Sequence, residues 1–221
     1  MQRKTPFVKG EYYHIYNRGI DKAAIVRSDK DRDRFKLLLY TANSENIFRL
    51  DNLINQQHKT NDEIMSIDRG QCLVSIGGWA LMTNHFHLLL KEEVEGGITS
   101  FMKKFSTAYS MYYNIKYERS GSLLHRPFRS KHIDEDNYMR HLFGYVHLNP
   151  LDIKFSNWEE NVKHKPKEMK NFLDTYKYSS FQDYAGVERI ENRILNKPAF
   201  PEYFSTEQDF LKFIDNYLQA S

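Results

Sequence analysis

The sequence predicts an α+β fold in which an antiparallel sheet carries helices on one face and a C-terminal α-helical extension follows. Three observations predict it. Strand-like and helix-like periodicities run in the order strand, helix, strand, strand, helix, strand, helix across residues 1–150. Two apolar runs, 71–82 and 85–93, are close enough together to form a hairpin. From residue 151 the chain turns Lys-rich, then aromatic, and ends in an amphipathic helical pattern.

Each element follows from its residues. "EYYHIYNRG" (11–19) alternates and ends in Asn-Arg-Gly, a strand running into a turn. "SDKDRDRFKLLLYTANSEN" (28–46) opens on a good cap and sets Phe35, Leu38 and Leu39 at helical spacing. Residues 47–71 are polar and weakly patterned, a short helix with loops or an insertion. "QCLVSIGGWALM" and "HFHLLLKEE" are two strands joined by a tight turn at Thr83 and Asn84, with the following "KEEVE" leading out into solvent. In residues 98–121, Phe101, Phe105, Ala108, Tyr112 and Ile115 step by four and three, a long amphipathic helix ended by Gly121. "SLLHRPFRSKHI" (122–133) is extended, and Pro127 argues for an edge or an irregular strand. "DEDNYMRHLFGYVHLNP" (134–150) has an acidic start, Met139, Leu142, Phe143 and Val146 on one face, and a proline stop. The first six elements have the order of the split βαβ, ferredoxin-like arrangement. Residues 1–150 are read as one domain with an insertion at about 47–71, and residues 151–221 as a helical extension packed on it.

Composition excludes several classes. A chain of 221 residues with 28 % charged and 40 % hydrophobic residues buries a real core. No apolar run approaches the ~20 residues of a membrane span. The start "MQRKTPFVKG" lacks the apolar stretch of a signal peptide, so the expected location is cytoplasmic. One cysteine, Cys72, leaves no internal disulfide and no cysteine zinc site. A net charge of +3 is compatible with nucleic acid without demanding it. Fifteen Tyr and fifteen Phe suit base stacking, but composition alone favours a Tyr-rich core.

Within "LMTNHFHLLL" (81–90), His85 and His87 sit inside an apolar strand. Residues i and i+2 of a strand share a face, so the imidazoles are neighbours and Phe86 points the other way. For an arbitrary His-x-His an exposed strand face is the better reading. Here "WALM" and "LLL" make the strand central, with its helix-free face the functional one. Two imidazoles are half of a metal site. Cysteines cannot complete it, and histidines 14, 58, 125, 132, 141, 147 and 164 form no zincin motif. An amide or carboxylate from another element, with open positions, would suit Mg²⁺ or Mn²⁺ holding a phosphate oxygen.

In "GYVHLN", Tyr145 and Asn149 stand four apart on one helical face, away from Leu142, Phe143 and Val146. Tyr138 and His141 continue the stripe. The bland alternative is an amphipathic helix with an aromatic flank and an Asn at its end, where the following proline disfavours helical backbone. Lys103 and Lys104 on the long helix, with Arg126, Arg129 and Lys131, and Arg18 after the first strand, each read alone as a solvated face; as a set near one site they read as a phosphate-binding surface.

A His-x-His strand with a Tyr-x-x-x-Asn helix resembles the single-tyrosine HUH endonucleases, specifically the IS200-like transposases and their REP-associated relatives. The matching pieces are "YYHIYNRG", "LMTNHFHLLL", "ERSGSLLHRPFRSKHI", "YMRHLFGYVHLNPL" and "YKYSSFQDY". They cover roughly residues 10 to 186 in one collinear order; no piece is specific alone, but five in order are. The resemblance implies the ferredoxin-like fold. It also implies a divalent metal, Mg²⁺ or Mn²⁺, on His85 and His87, with Asn149 where relatives place Gln or Asn. Tyr145 would attack a phosphate of single-stranded DNA carrying hairpin or palindromic elements, leaving a 5′-phosphotyrosine and a free 3′-hydroxyl. A phenol with reference pKa about 10 needs help from the metal or from a neighbour such as His141. The chain departs from shorter relatives at 47–71 and after 186, so monomer and homodimer both stay open. Tyr109, Tyr112, Tyr113 and Tyr117 of the long helix read as core and stacking residues.

Three rival readings carry different expectations. An RNA-recognition domain shares the fold, but its Lys/Arg-Gly-aromatic-Gly-aromatic run is absent. A domesticated, non-catalytic protein would bind DNA or RNA hairpins without cutting. A metal phosphohydrolase would use water and trap no intermediate.

Overall fold

The computed structural model describes residues 6–155, 157–161 and 165–220; the basic first five residues and His164 lie outside them. The elements are β1 (Tyr12–Arg18), α1 (Asp29–Thr41), α2 (Leu50–Asn55), α3 (Asn61–Ser66), β2 (Val74–Leu81), β3 (His85–Glu92), α4 (Gly97–Lys116), β4 (Arg129–Ile133), α5 (Asp136–Leu148), α6 (Trp158–Asn161), α7 (Pro166–Thr175), α8 (Phe181–Tyr184) and α9 (Glu207–Ala220).

Every strand pairing is antiparallel, in the order β2-β3-β1-β4. That is the sheet expected of a split βαβ fold. The hairpin closes over Thr83 and Asn84, with the Met82 amide donating to the His85 carbonyl at 2.8 Å. Alternation then sorts the sheet into two faces. Ile15, Phe86, Leu88 and Leu90 meet Phe35 of α1 and Phe101, Phe105 and Tyr109 of α4 in the main core. The Ser28 side chain and Asp31 close a capping box at the start of α1.

The other face is not free of helices. Ala80, Met82, Leu89 and Ile133 of the sheet pack against Met139, Leu142, Phe143 and Val146 of α5, together with Phe200. A helix with its own apolar stripe has to bury it, and this half of the sheet offers the apolar surface. A further core joins Leu148 and Leu151 to Trp158, Met169, Leu173, Phe181, Phe210, Ile214 and Leu218.

Three local expectations change. The long helix buries Phe101, Phe105, Tyr109 and Tyr113, while Ile115 is 77 % exposed. A four-three step has period 3.5 and drifts ~20° per heptad against a straight helix, so Ile115 has rotated off the core face. Glu92 is fully buried rather than leading into solvent: its carboxylate accepts from the Gly96 and Ile98 amides at the start of α4. Residues 47–71 hold two short helices, of which α3 is boxed by Thr60 and Glu63 and buries Ile64 and Met65 in the main core.

The aromatic segment after α7 lies along the outer edge of β2. Leu81 N donates to Tyr178 O, Ser180 N to Trp79 O and Asn196 N to Ile76 O, so this sheet edge is covered. The opposite edge, β4, is short and carries exposed Arg129, Lys131 and His132. Among the described residues no helix is long and apolar enough to cross a membrane.

Candidate active site

Register builds the site. Across β1 and β3, Tyr16 stands opposite His87 and Arg18 opposite His85. Across β1 and β4, His14 stands opposite Lys131 and Tyr16 opposite Arg129. Directly opposed residues of antiparallel strands share a face. His14, Tyr16, Arg18, His85, His87, Arg129 and Lys131 therefore all rise on the side that α5 covers.

α5 brings Tyr145 over this row. Its ring meets His87 edge-on at 5.3 Å between centroids and His14 at 6.0 Å. Tyr138 and His141 stack in sequence along the same stripe, His141 lying 6.4 Å from Tyr145. The His141 Nδ1 is hydrogen-bonded to the Tyr217 hydroxyl of α9. Asn149 stays in the helical region at φ −51° and is 97 % buried in spite of the following proline. Pro150 begins a tight turn of 3₁₀ helix from Asn149 to Ile153, where its fixed φ fits the first turn. That continuation holds the Asn149 amide one turn beyond Tyr145.

The imidazoles have defined partners. His85 Nδ1 lies 2.7 Å from Asn84 Oδ1, and His85 Nε2 lies 3.3 Å from Asn149 Oδ1. A neutral imidazole has one N–H, so it cannot donate to both oxygens. The shorter contact takes the proton, and the Nε2 lone pair then faces the Asn149 oxygen with nothing between them. His87 Nδ1 is 2.8 Å from His14 Nε2, while His87 Nε2 is buried with no hydrogen-bond partner. A bare His85 Nε2, a partnerless His87 Nε2 and the Asn149 amide oxygen are thus left without a donor among the described residues, a set to which a divalent cation would be suited. The fit is to a mixed nitrogen and oxygen set: among the described residues, no three His, Cys, Asp or Glu side chains come together to hold a metal.

Electrostatics keeps these groups in usable states. Burial lowers the pKa of His87 well below the ordinary value, with His14 and His85 adding to the shift. Burial and then Arg18 lower that of His85, against a smaller opposing effect of Asn149. Burial and then Lys131 bring His14 down to about 4. Burial raises the Tyr145 pKa, a hydrogen bond with Asn149 pulls the other way, and Asp152 and Glu159 push it up further. The histidines are neutral and the phenol protonated at pH 7.

Tyr145 separates two clefts of opposite character. One, of about 310 Å³, is lined by His14, Tyr16, His87, Lys131, Tyr138 and His141. The Lys131 ammonium sits 3.8 Å from the Tyr138 ring centre there. The other, of about 260 Å³, runs past Asn149 to Asp152, Trp158 and Glu159.

The fold does not bring every sequence-derived residue here. Arg18, Arg129 and Lys131 rise on the same face as the histidines, and Arg126 is exposed in the segment leading into β4. Lys103 and Lys104 are carried by α4, on the opposite face of the sheet. Lys103 points to solvent there, and Lys104 donates to the Ser44, Glu45 and Asn46 carbonyls beyond α1. These two lysines hold the far side of the fold and not the site. The helix tyrosines are likewise remote: Tyr109 and Tyr113 donate to Ile25 O and Ala24 O, and Tyr112 and Tyr117 to Asp31. Sequence reasoning gave no role to His14, Asn84, Asp152, Glu159 or Tyr217. For His14 a signal exists, its two-residue spacing from Tyr16, but it becomes legible only once the β1–β3 register is known.

Fold and site together define an α+β protein whose sheet presents neutral histidines beneath a helix-borne tyrosine. The chain is similar to a solved REP-associated tyrosine transposase bound to a REP hairpin, at 12 % identity over 86 % of this chain and 90 % of that one, with a TM-score of 0.47. No family model and no curated protein matches the sequence.

Proposed function

We propose that the protein is a metal-dependent single-stranded DNA endonuclease and strand transferase with Tyr145 as its nucleophile. The observation that carries this reading is the buried, unpartnered His87 Nε2 beside a His85 Nε2 that faces Asn149 Oδ1, under the Tyr145 ring. Nucleophile and ligand set meet at Asn149, which caps the helix one turn beyond Tyr145 and acts to lower the phenol's pKa.

In this reading His85, His87 and Asn149 would hold Mg²⁺ or Mn²⁺, which when bound would polarise a phosphate oxygen and offset developing charge. The Tyr145 oxygen forms a bond to phosphorus, and the bond from phosphorus to the 3′-oxygen breaks. The phenol gives up its proton and the 3′-oxygen leaves as a hydroxyl, so the phosphodiester energy is kept in a 5′-phosphotyrosine. Lys131, in the cleft on one side of Tyr145, binds flanking phosphates together with Arg129 and Arg18 of the same sheet face. Asp152 and Glu159 disfavour a polyanion on the other, which gives the strand one path across the sheet. Residues 1–150 serve as the catalytic domain. Residues 151–221 form the extension, whose Tyr217 fixes His141 next to the nucleophile.

The test is incubation of the protein with Mg²⁺ or Mn²⁺ and hairpin-bearing single strands, followed by a denaturing gel. A denaturation-resistant adduct that chelation prevents is the expected result. Cleavage without an adduct would assign a water-using phosphohydrolase, and binding without cleavage a hairpin-binding protein of the same fold.

A further inference from the structure

The strand β1 places His14 beside His87 on the face of the sheet that α5 covers. We propose that His14 is a positioning residue, holding His87 in the tautomer that leaves Nε2 free as a ligand. The inference rests on the metal reading above.

The contact between His14 Nε2 and His87 Nδ1 is 2.8 Å long and buried, with the two rings 5.0 Å apart and nearly parallel. It has two possible directions. If His14 donates, His87 carries its own proton on Nε2, and that N–H ends buried with no acceptor. An orphaned buried donor costs on the order of 1–3 kcal/mol. If His87 Nδ1–H donates instead, the buried Nε2 holds a lone pair and His14 carries its proton on Nδ1. Nε2 is unpartnered in either direction, and an unsatisfied buried acceptor costs a comparable amount. Only the second arrangement leaves a lone pair that a bound cation would take up, so the metal reading selects it.

His85 repeats the design with a different partner. Its Nδ1 is 2.7 Å from Asn84 Oδ1, an atom that can only accept, so the proton there is fixed and Nε2 is bare. Both imidazoles thus have Nδ1 engaged, the first by the hairpin turn and the second by β1, and their rings lie 5.2 Å apart. Such outer partners fix ring orientation and raise ligand basicity. Tyr16 stacks on both His14 and His87, at 5.0 and 5.7 Å, and limits rotation of either ring.

His14 also lies directly opposite Lys131, on the cleft side of the sheet. Its own Nε2 is taken up by His87 and is not offered as a further ligand. That separates His14 from the metal-binding pair in spite of its closeness.

The test has two parts. Nitrogen-15 NMR of metal-free wild-type protein reads the His87 tautomer directly; protonation at Nδ1 is expected, and protonation at Nε2 overturns the proposal. Calorimetric titration with Mn²⁺ then compares wild type, His14→Gln, which keeps an acceptor, and His14→Phe, which keeps only the ring. A loss of about 10- to 100-fold in Mn²⁺ affinity is expected for His14→Phe, with His14→Gln nearer wild type. Equal affinity in all three overturns the role of His14. Wild type that takes up no Mn²⁺ removes the metal reading instead, and the tautomer measurement still decides what His14 does to His87.

Discussion

Replacing Tyr145 by Phe tests the nucleophile with the smallest change the site allows. The ring and its edge-on contacts with His87 and His14 stay, and one oxygen is lost. The Tyr145 residue is half-buried, and Asn149 acts to lower the phenol's pKa. Even a full neutral hydrogen bond contributes only about 0.5–1.5 kcal/mol, which bounds the loss. For a chain of this size 1 kcal/mol moves Tm by about 2–4 °C, so a fall of a few degrees at most is expected by thermal melting. DNA affinity should hold, because in the proposed reading the phosphate contacts come from Arg18, Arg129 and Lys131. Adduct formation should vanish, because no other tyrosine shares both the Asn149 contact and the histidine row. The assay is a denaturing gel of protein with labelled hairpin strand and Mn²⁺, followed by mass mapping of any adduct. An adduct that persists in Tyr145→Phe, or maps to Tyr109, Tyr112 or Tyr113, would refute the reasoning.

Chelation should abolish cleavage and leave the melting temperature almost unchanged, since the cores are formed by apolar side chains; a large fall would mean a structural metal. Lys131→Gln should weaken single-strand binding and lower the salt slope by about 1, while Lys103→Gln on the opposite face changes neither; equal effects in fluorescence anisotropy would break the assignment of the binding face. Hairpin-bearing single strands should be cut in preference to unstructured strand and to matched duplex, whose stacked phosphates cannot bend across the sheet; equal or faster cutting of the duplex would return the site to a generic nuclease. Burial alone would raise the pKa of Asp31, but Lys116, Tyr117, the Arg27 amide and Tyr112 outweigh it and hold the carboxyl at about 2. Against an unfolded value of about 3.9, this group contributes about 2 kcal/mol that is fully present above pH ~4 and lost as pH falls toward ~2. Denaturant melts of wild type and Asp31→Asn across that window should converge at the acid end, and parallel curves would show that Asp31 is not the titrating group.

The sequence by itself determined the elements and their order, because periodicity is local. His85, Phe86 and His87 alternate whatever surrounds them, and Tyr145 and Asn149 share a helical face for the same reason. It also separated the Tyr-x-x-x-Asn stripe from the apolar stripe of α5, which fixes how that helix can lie on a sheet. What only the tertiary structure decided is which residues meet across elements. Lys104 and Lys131 look alike in sequence, but one caps carbonyls on the α4 side and the other stands opposite His14. Which face a cation occupies follows from crossovers and not from its neighbours in the chain. The long helix shows the limit in another way, since a small phase error accumulated over fourteen residues carries Ile115 out of the core. His14 was visible as a polar residue in a strand, but its contact with His87 depends on a β1–β3 register joining residues 73 positions apart. Pairing of that kind is set by packing of the whole sheet between α1 and α4 on one side and α5 on the other, and no window of sequence contains it.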